Sequence, residues 1–206
     1  FGTLGNLRNS DLVMWDRQTE SWWQRLTGEA LVGRMAGTKL NFLAAPIMSW
    51  QDFKTHQPDG LVLSKDTGFR RNYGENPYVG YDRIDNPPFL YSGDLDGCLQ
   101  SKERVAAITV DGVDFAFPFS ILAEKGAVNY QTNGVDVTVF FKFGTNSALG
   151  DAQISFAADI GTTAVFNAIL KGQRLTFTAA GDWFTDAETG STWNILGGAI
   201  DGPVNA

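Results

Sequence analysis

A chain of 206 residues, 43% hydrophobic and 19% charged, is long enough to bury a core and too apolar to be disordered. Its formal charge of −7 excludes nucleic acid and anionic membrane surfaces as partners, since both need concentrated Lys and Arg, and the adjacent Arg70 and Arg71 make no patch. No apolar run approaches the roughly 20 residues of a membrane-spanning helix, so no transmembrane segment is expected.

The chain begins FGTLGNL, with no initiator Met, charged n-region or apolar h-region. The expectation is that something was removed upstream, or that the chain is part of a longer one. Next comes LRNSDLVMWDRQTESWWQ, in which LVMWD and SWWQRL are strand-prone runs separated by RQTE. An Asp that opens a turn accepts hydrogen bonds from amides two or three residues on, and a Thr hydroxyl closes the same turn. That accounts for Asp16, Thr19 and Ser21 without any chemistry, with Trp23 packing across the hairpin. Polar residues nearby give the substrate-binding candidates: Asn9, Asp11, Arg17 and Gln24, with Ser10 beside them. The competing reading is a turn shaped by Asn9, Ser10 and Asp11, with Arg17 solvated. Glu20 and Glu29 read as surface carboxylates rather than a glycosidase pair.

Further on, SWQDFKTHQP predicts a short helix, with Ser49 at its cap, Asp52 in its first turn and Pro58 as its stop. Its His56 is the chain's single His and reads as a surface residue. Asp59-Gly60 then leads into an expected strand, LVLS. From Lys65 to Gly97 no periodicity survives among many Gly, Asn, Pro and Tyr residues, which predicts a long ordered loop. Within it GDLDG resembles the start of a calcium loop but lacks the later oxygen ligands, so a plain turn is expected. Cys98 stands alone: no internal disulfide and no cysteine metal cluster is possible.

The strongest local signals follow. VAAITVDGVDFAF, YQTNGVDVTVFFKF and AVFNAILKGQRLTFTA each place two apolar runs around a turn, at Asp111-Gly112, Asn133-Gly134 and Lys171-Gly172. Val135, Val137, Val139, Phe141 and Phe143 alternate with mostly polar neighbours, which predicts a half-buried strand. FSILAEKG predicts two helical turns ending at Gly126.

Near the end the chain reads DAETGSTW, with the spacing of DRQTESWW: Asp, two residues, Thr, one residue, Ser, one residue, Trp. The match continues through Leu26 and Leu196, Gly28 and Gly198, and, with one residue skipped, ALVGRM beside AIDGPV. Hairpins precede the second copy and nothing precedes the first. The expected fold is therefore mainly β, a β-rich α+β protein of antiparallel hairpins with a few short helices, in two repeats of which the first is truncated. Residues 1–40 are then the tail of the first repeat, 41–104 a connector, and 105–206 the second repeat.

FGTLGNLRNSDLVMWDRQTESWWQRLTGEALVG, PDGLVLSKDTGF, NPYVGYD, KERV and TGSTWNILGGAIDGP together resemble domain of unknown function 3179 over nearly the whole chain. The resemblance implies a secreted or otherwise extracytoplasmic protein of bacteria or archaea, without an established activity; some members are described as selenoproteins. It also implies a preceding portion with a His-Glu-Ile-Val-Asn-Asp-like segment and a strand ending Cys-Pro-Leu-Cys-Gly-Ser. By the same matching, Lys125 stands where the second repeat would carry the His. Gly161 falls on the Gly of the Cys motif, and Ile160 stands where its second Cys would be. No catalytic or metal-binding residue can thus be assigned within this chain. The implied function is thiol-redox or metal-dependent, with a Cys-x-x-Cys upstream, since that spacing suits both chemistries. The alternative is a non-catalytic extracellular binding or structural module, for glycans among other ligands, which the aromatic residues Trp22, Trp23, Tyr73, Tyr78 and Tyr81 favour. The sequence leaves the cofactor unknown, and with it the identity of any small-molecule or redox partner.

Overall fold

A computed structural model describes residues 1–205, which are mainly β. They form two units, 1–45 with 84–102 and 46–83 with 103–206. In the first unit β1 (Gly2–Arg8), β2 (Asp11–Trp15), β3 (Trp22–Gln24) and β4 (Ala30–Val32) form one antiparallel sheet in chain order. Asn9 and Ser10 turn the first hairpin with φ of 50° and 66°. Both central residues of a type I′ turn need positive φ, a conformation that Asn tolerates better than most residues. Val13 pairs with Gln24, Met14 with Trp23, and Trp15 with Trp22. Because successive strand residues face opposite ways, Trp22 and Trp23 divide between the two faces. Trp23 is 4% exposed and Trp22 40%.

The second unit opens with α1 (Trp50–His56), where Ser49 Oγ accepts from the Asp52 amide as the sequence predicts. Asp52 then pairs with Lys142 Nζ at 2.7 Å. Two strands, β5 (Val105–Val110) and β6 (Val113–Pro118), pair around Asp111-Gly112, and α2 (Phe119–Lys125) ends at Gly126, whose φ is 67°. Next, β7 (Ala127–Thr132), β8 (Val135–Lys142) and β9 (Thr162–Asn167) form a three-stranded sheet. The short pair β10 (Ile169–Leu170) and β11 (Gln173–Arg174) turns at Lys171-Gly172. A second four-stranded sheet closes the chain: β12 (Phe177–Ala180), β13 (Trp183–Asp186), β14 (Thr192–Trp193) and β15 (Ala199–Asp201). All three sequence-predicted Xaa-Gly turns have positive φ at both positions.

Two expectations fail. The first concerns β8, which is buried on both faces rather than one: Thr138, Val139, Phe140 and Phe141 are at most 3% exposed. It is the central strand of its sheet. Val139 and Phe141 pack with Ala106 and Leu122, while Phe140 packs with Leu175, Phe177, Phe184, Trp193 and Ile195. The Phe140 and Phe184 rings stack with centroids 3.9 Å apart. Full burial of such a side chain is worth about 1.5–3 kcal/mol over leaving it in water, so β8 is where this unit's stability concentrates. Phe143, read as the last inward residue, lies past the strand end and is 55% exposed. The second failure is LVLS. Leu61–Ser64 belongs to no strand, and Leu61 and Leu63 are almost fully exposed. Its apolar pattern was right for a strand, but no described strand offers a ladder to it.

The loop beyond Lys65 is irregular and ordered, as expected. The Asn76 amide donates to the Ala152 carbonyl. Asp82 accepts from Ser147 Oγ at 2.6 Å and pairs with Arg104 at 2.7 Å. Burial pushes the Asp82 carboxyl up, but the Ser147 and Arg104 bonds outweigh it and hold Asp82 below its usual value.

Candidate functional site

The two matched octets give matched geometry. Asp16 Oδ1 accepts from the Thr19 amide at 2.6 Å, and Asp186 Oδ1 from the Thr189 amide at 2.6 Å. The other carboxylate oxygen accepts the Thr hydroxyl in each turn, and also the indole N–H of Trp23 at 2.9 Å or Trp193 at 2.8 Å. Thr19 and Thr189 are in turn bonded to Ser21 and Ser191. These Ser hydroxyls accept the amides of Met35 and Val204 from the turn that follows the last strand of each sheet. Gly33 and Gly202 make that crossing possible: a Cβ at either would lie 2.7 Å from the Ser Cα, at φ of 99° and 92°. The sequence reading had the Trp packing across the turn, and the structure adds that it donates to the Asp.

Even the first residue has a counterpart. Phe177 lies opposite Asp186 and meets Trp193 edge-on. Phe1, one step beyond the Gly2–Trp15 pair, meets Trp23 edge-on at 6.0 Å and 82°. Hydrogen bonds from Thr19 and Trp23 hold Asp16 well below the usual carboxylate range. For Asp186 burial pushes the other way, and the Thr189 and Trp193 bonds overcome it. The Asp, Thr, Ser and Trp side chains of each turn are thus spent on one another and on neighbouring amides.

What remains open lies on the outward face of the first sheet. A groove of about 560 Å³ runs across it, lined by Arg8, Val13, Trp22, Glu29 and Val32 among others. Arg8 Nη1 donates to Gln24 Oε1 at 2.9 Å, and Gln24, across from Val13, is 8% exposed. Asp11 pairs with Arg8 in register and accepts from the Leu26 amide at 2.9 Å. Of the four sequence candidates, then, Asp11 and Gln24 share one end of the sheet with Arg8. Asn9 shapes the adjoining turn, and Arg17 is exposed in the Asp16 turn at the far end of β2. Arg8 and Val32 carry no site signal of their own in the sequence, and Glu29 reads there only as a surface carboxylate. Their only signal was alternation around the Trp22-Trp23 pair, which requires one indole to face outward.

Elsewhere the chemistry is sparse. Cys98 is exposed, and a hydrogen bond from its thiol to Asp96 pushes its pKa up, which disfavours the nucleophilic thiolate. GDLDG is a turn in which Asp96 accepts from the Cys98 amide. His56 ends α1, half-buried. Lys125 is exposed in the last turn of α2, and the Ile160 amide donates to the Thr145 carbonyl. Among the described residues no cluster of His, Cys, Asp and Glu could hold a metal ion, and no helix is long and apolar enough to cross a membrane.

The fold defines a mainly β protein of several antiparallel sheets, with an open groove on the first of them. The chain belongs to the family described as Protein of unknown function (DUF3179), which it matches over residues 1–206. No curated protein and no solved structure matches it.

Proposed function

We propose that this chain is a binding module of an extracytoplasmic protein, and that its two four-stranded sheets are copies of one ancestral unit. The ligand class is a small saccharide or polyol held in the groove over the first sheet. One observation carries this reading: an indole, Trp22, stands 40% exposed in the same groove as Arg8, which the buried Gln24 holds, and Glu29. A sugar ring has an apolar C–H face for an aromatic plane and hydroxyls at its edge for a guanidinium or carboxylate. Pockets of roughly 300–1,000 Å³ with a few convergent polar groups suit ligands of that size. The thiol-redox or metal-dependent reading draws on a Cys-x-x-Cys segment that no residue of this chain supplies. Within the chain, the hydrogen bond to Asp96 and its charge push the pKa of the one thiol up.

The test is calorimetric titration of the chain with a panel of neutral and acidic mono- and oligosaccharides. One class should bind saturably, and Trp22→Ala should weaken it about tenfold, the loss of ~1.4 kcal/mol of stacking contact. A panel without a binder, or a binder indifferent to Trp22→Ala, would reject the groove as the site.

A further inference from the structure

The second unit contains an opening that the groove reading does not touch. A cavity of about 130 Å³ lies between β8–β9 and the closing sheet, walled by Phe140, Phe166, Phe177 and Trp193. Thr138 also lines it, from the middle of β8, at 1% exposure. Its hydroxyl has no hydrogen-bond partner among the described residues.

The neighbours explain why. Across the ladder Thr138 faces Phe166 on one side and Asn129 on the other. The Asn129 amide is spent on Phe177, donating to its carbonyl at 2.8 Å and accepting from its N–H at 2.9 Å. The indole N–H of Trp193 is spent on Asp186. A valine would fill the same volume and complete the wall, so packing alone does not call for the hydroxyl. Water is a poor occupant. It needs two to four polar partners, whereas apolar cavities of about 150 Å³ stay dry and accept benzene.

The cavity also has a mouth. Asn167 and Ile169 at its rim are exposed. At the same rim, a Cβ on Gly197 would come within 2.7 Å of the Phe166 ring, so the glycine leaves that wall in place. No charged side chain lines the cavity, which excludes an ionic ligand.

We propose that this cavity binds a small neutral aromatic alcohol, of the size of phenol, whose hydroxyl bonds to Thr138 Oγ1 while its ring packs against the surrounding aromatic walls.

Phenol and benzene are the probes, titrated into the whole chain by calorimetry, with the Thr138 methyl resonance followed by NMR. Phenol should bind saturably and shift that resonance. Thr138→Val should weaken phenol about tenfold, the effect of one hydrogen bond, and leave benzene unchanged. Thr138→Ser, which keeps the hydroxyl, should retain the preference for phenol and covers the case in which the valine variant fails to fold. Trp22→Ala should change neither affinity, which separates this cavity from the groove. Absence of saturable phenol binding, saturation without movement of the Thr138 methyl, or equal phenol affinity in the wild type and Thr138→Val would overturn the proposal.

Discussion

The sheets β1–β4 and β12–β15 use one turn and present two different surfaces. Both close an Asp–Thr–Ser–Trp network with bond lengths that agree within about 0.2 Å, and both cross a glycine over the Ser. On the outward face, however, Trp15, Trp22 and Val32 of the first sheet stand where the second has Thr185, Thr192 and Asp201. On the inward face, Met14 stands where the second sheet has Phe184, which is wholly buried against Phe140. The turn is therefore the invariant part of the device, and the faces are free to take on separate duties. One sheet keeps an aromatic face available for contact. The other spends its aromatics on a core.

The sharpest way to break this comparison is to remove the carboxylates. Asp186→Ala strands the buried Trp193 indole N–H and leaves the half-buried Thr189 amide without its partner, and should cost about 3 kcal/mol. Asp16→Ala should cost clearly less, since water reaches that turn and can replace the lost bonds. Urea unfolding midpoints of the two variants decide the matter. A larger loss at Asp16 would mean that the first sheet, not the second, holds the chain together.

Acid should come next in size. Both carboxyls have folded pKa values below the ordinary value of about 3.9, so the stability they contribute is complete above that pH. It is lost as pH falls through the folded values. The melting temperature should be flat from about pH 7 to 5 and drop below about pH 4. Asp186→Asn should lower it at neutral pH and flatten the acid limb; an unchanged acid limb would assign acid sensitivity to other carboxylates.

The smallest effect sharpens the comparison at a single backbone position. Glu20 sits at φ of 54° where its counterpart is Gly190 at 69°. Because a side chain is disfavoured there, Glu20→Gly should stabilise by about 0.5–1 kcal/mol, and Gly190→Ala should destabilise by a similar amount. Thermal melts at one pH would detect both. A destabilising Glu20→Gly would reveal a contact made by the Glu side chain itself.

Much of this was legible. Xaa-Gly dipeptides between apolar runs marked three of the hairpins, because φ > 0 at two successive positions leaves few residue choices, while the Asn9-Ser10 turn meets the same demand without a glycine. Ser49 with Asp52, and Gly126 after Lys125, marked the helix ends for equally local reasons. The repeated octet was visible because its bonds lie within seven residues of one another. Long-range facts were not legible. Alternation in β8 looked half-buried because no local feature says that Thr138 and Phe140 will also be covered by a sheet whose first strand begins at Phe177. The groove was not legible from the polar candidates: Asn9, Asp11, Arg17 and Gln24 lie outside its lining, and the Arg8–Gln24 bond beside it joins strands separated by a whole hairpin.

Strict chain order runs through every ladder, with each strand bonded only to its immediate predecessor or successor in its sheet. This has a consequence for how the molecule forms. Topologies rich in pairings between sequence neighbours fold quickly, since little loop entropy must be given up before a contact forms, while β proteins with distant pairings are slow. Here most ladders can close as soon as their second strand exists, within a turn of a few residues, and β8–β9 alone must first span the longer connection 143–161. Only the packing of finished hairpins against one another waits for the rest of the unit. The chain can thus assemble from its hairpins in the order in which they are made, with few strand edges left waiting for a partner.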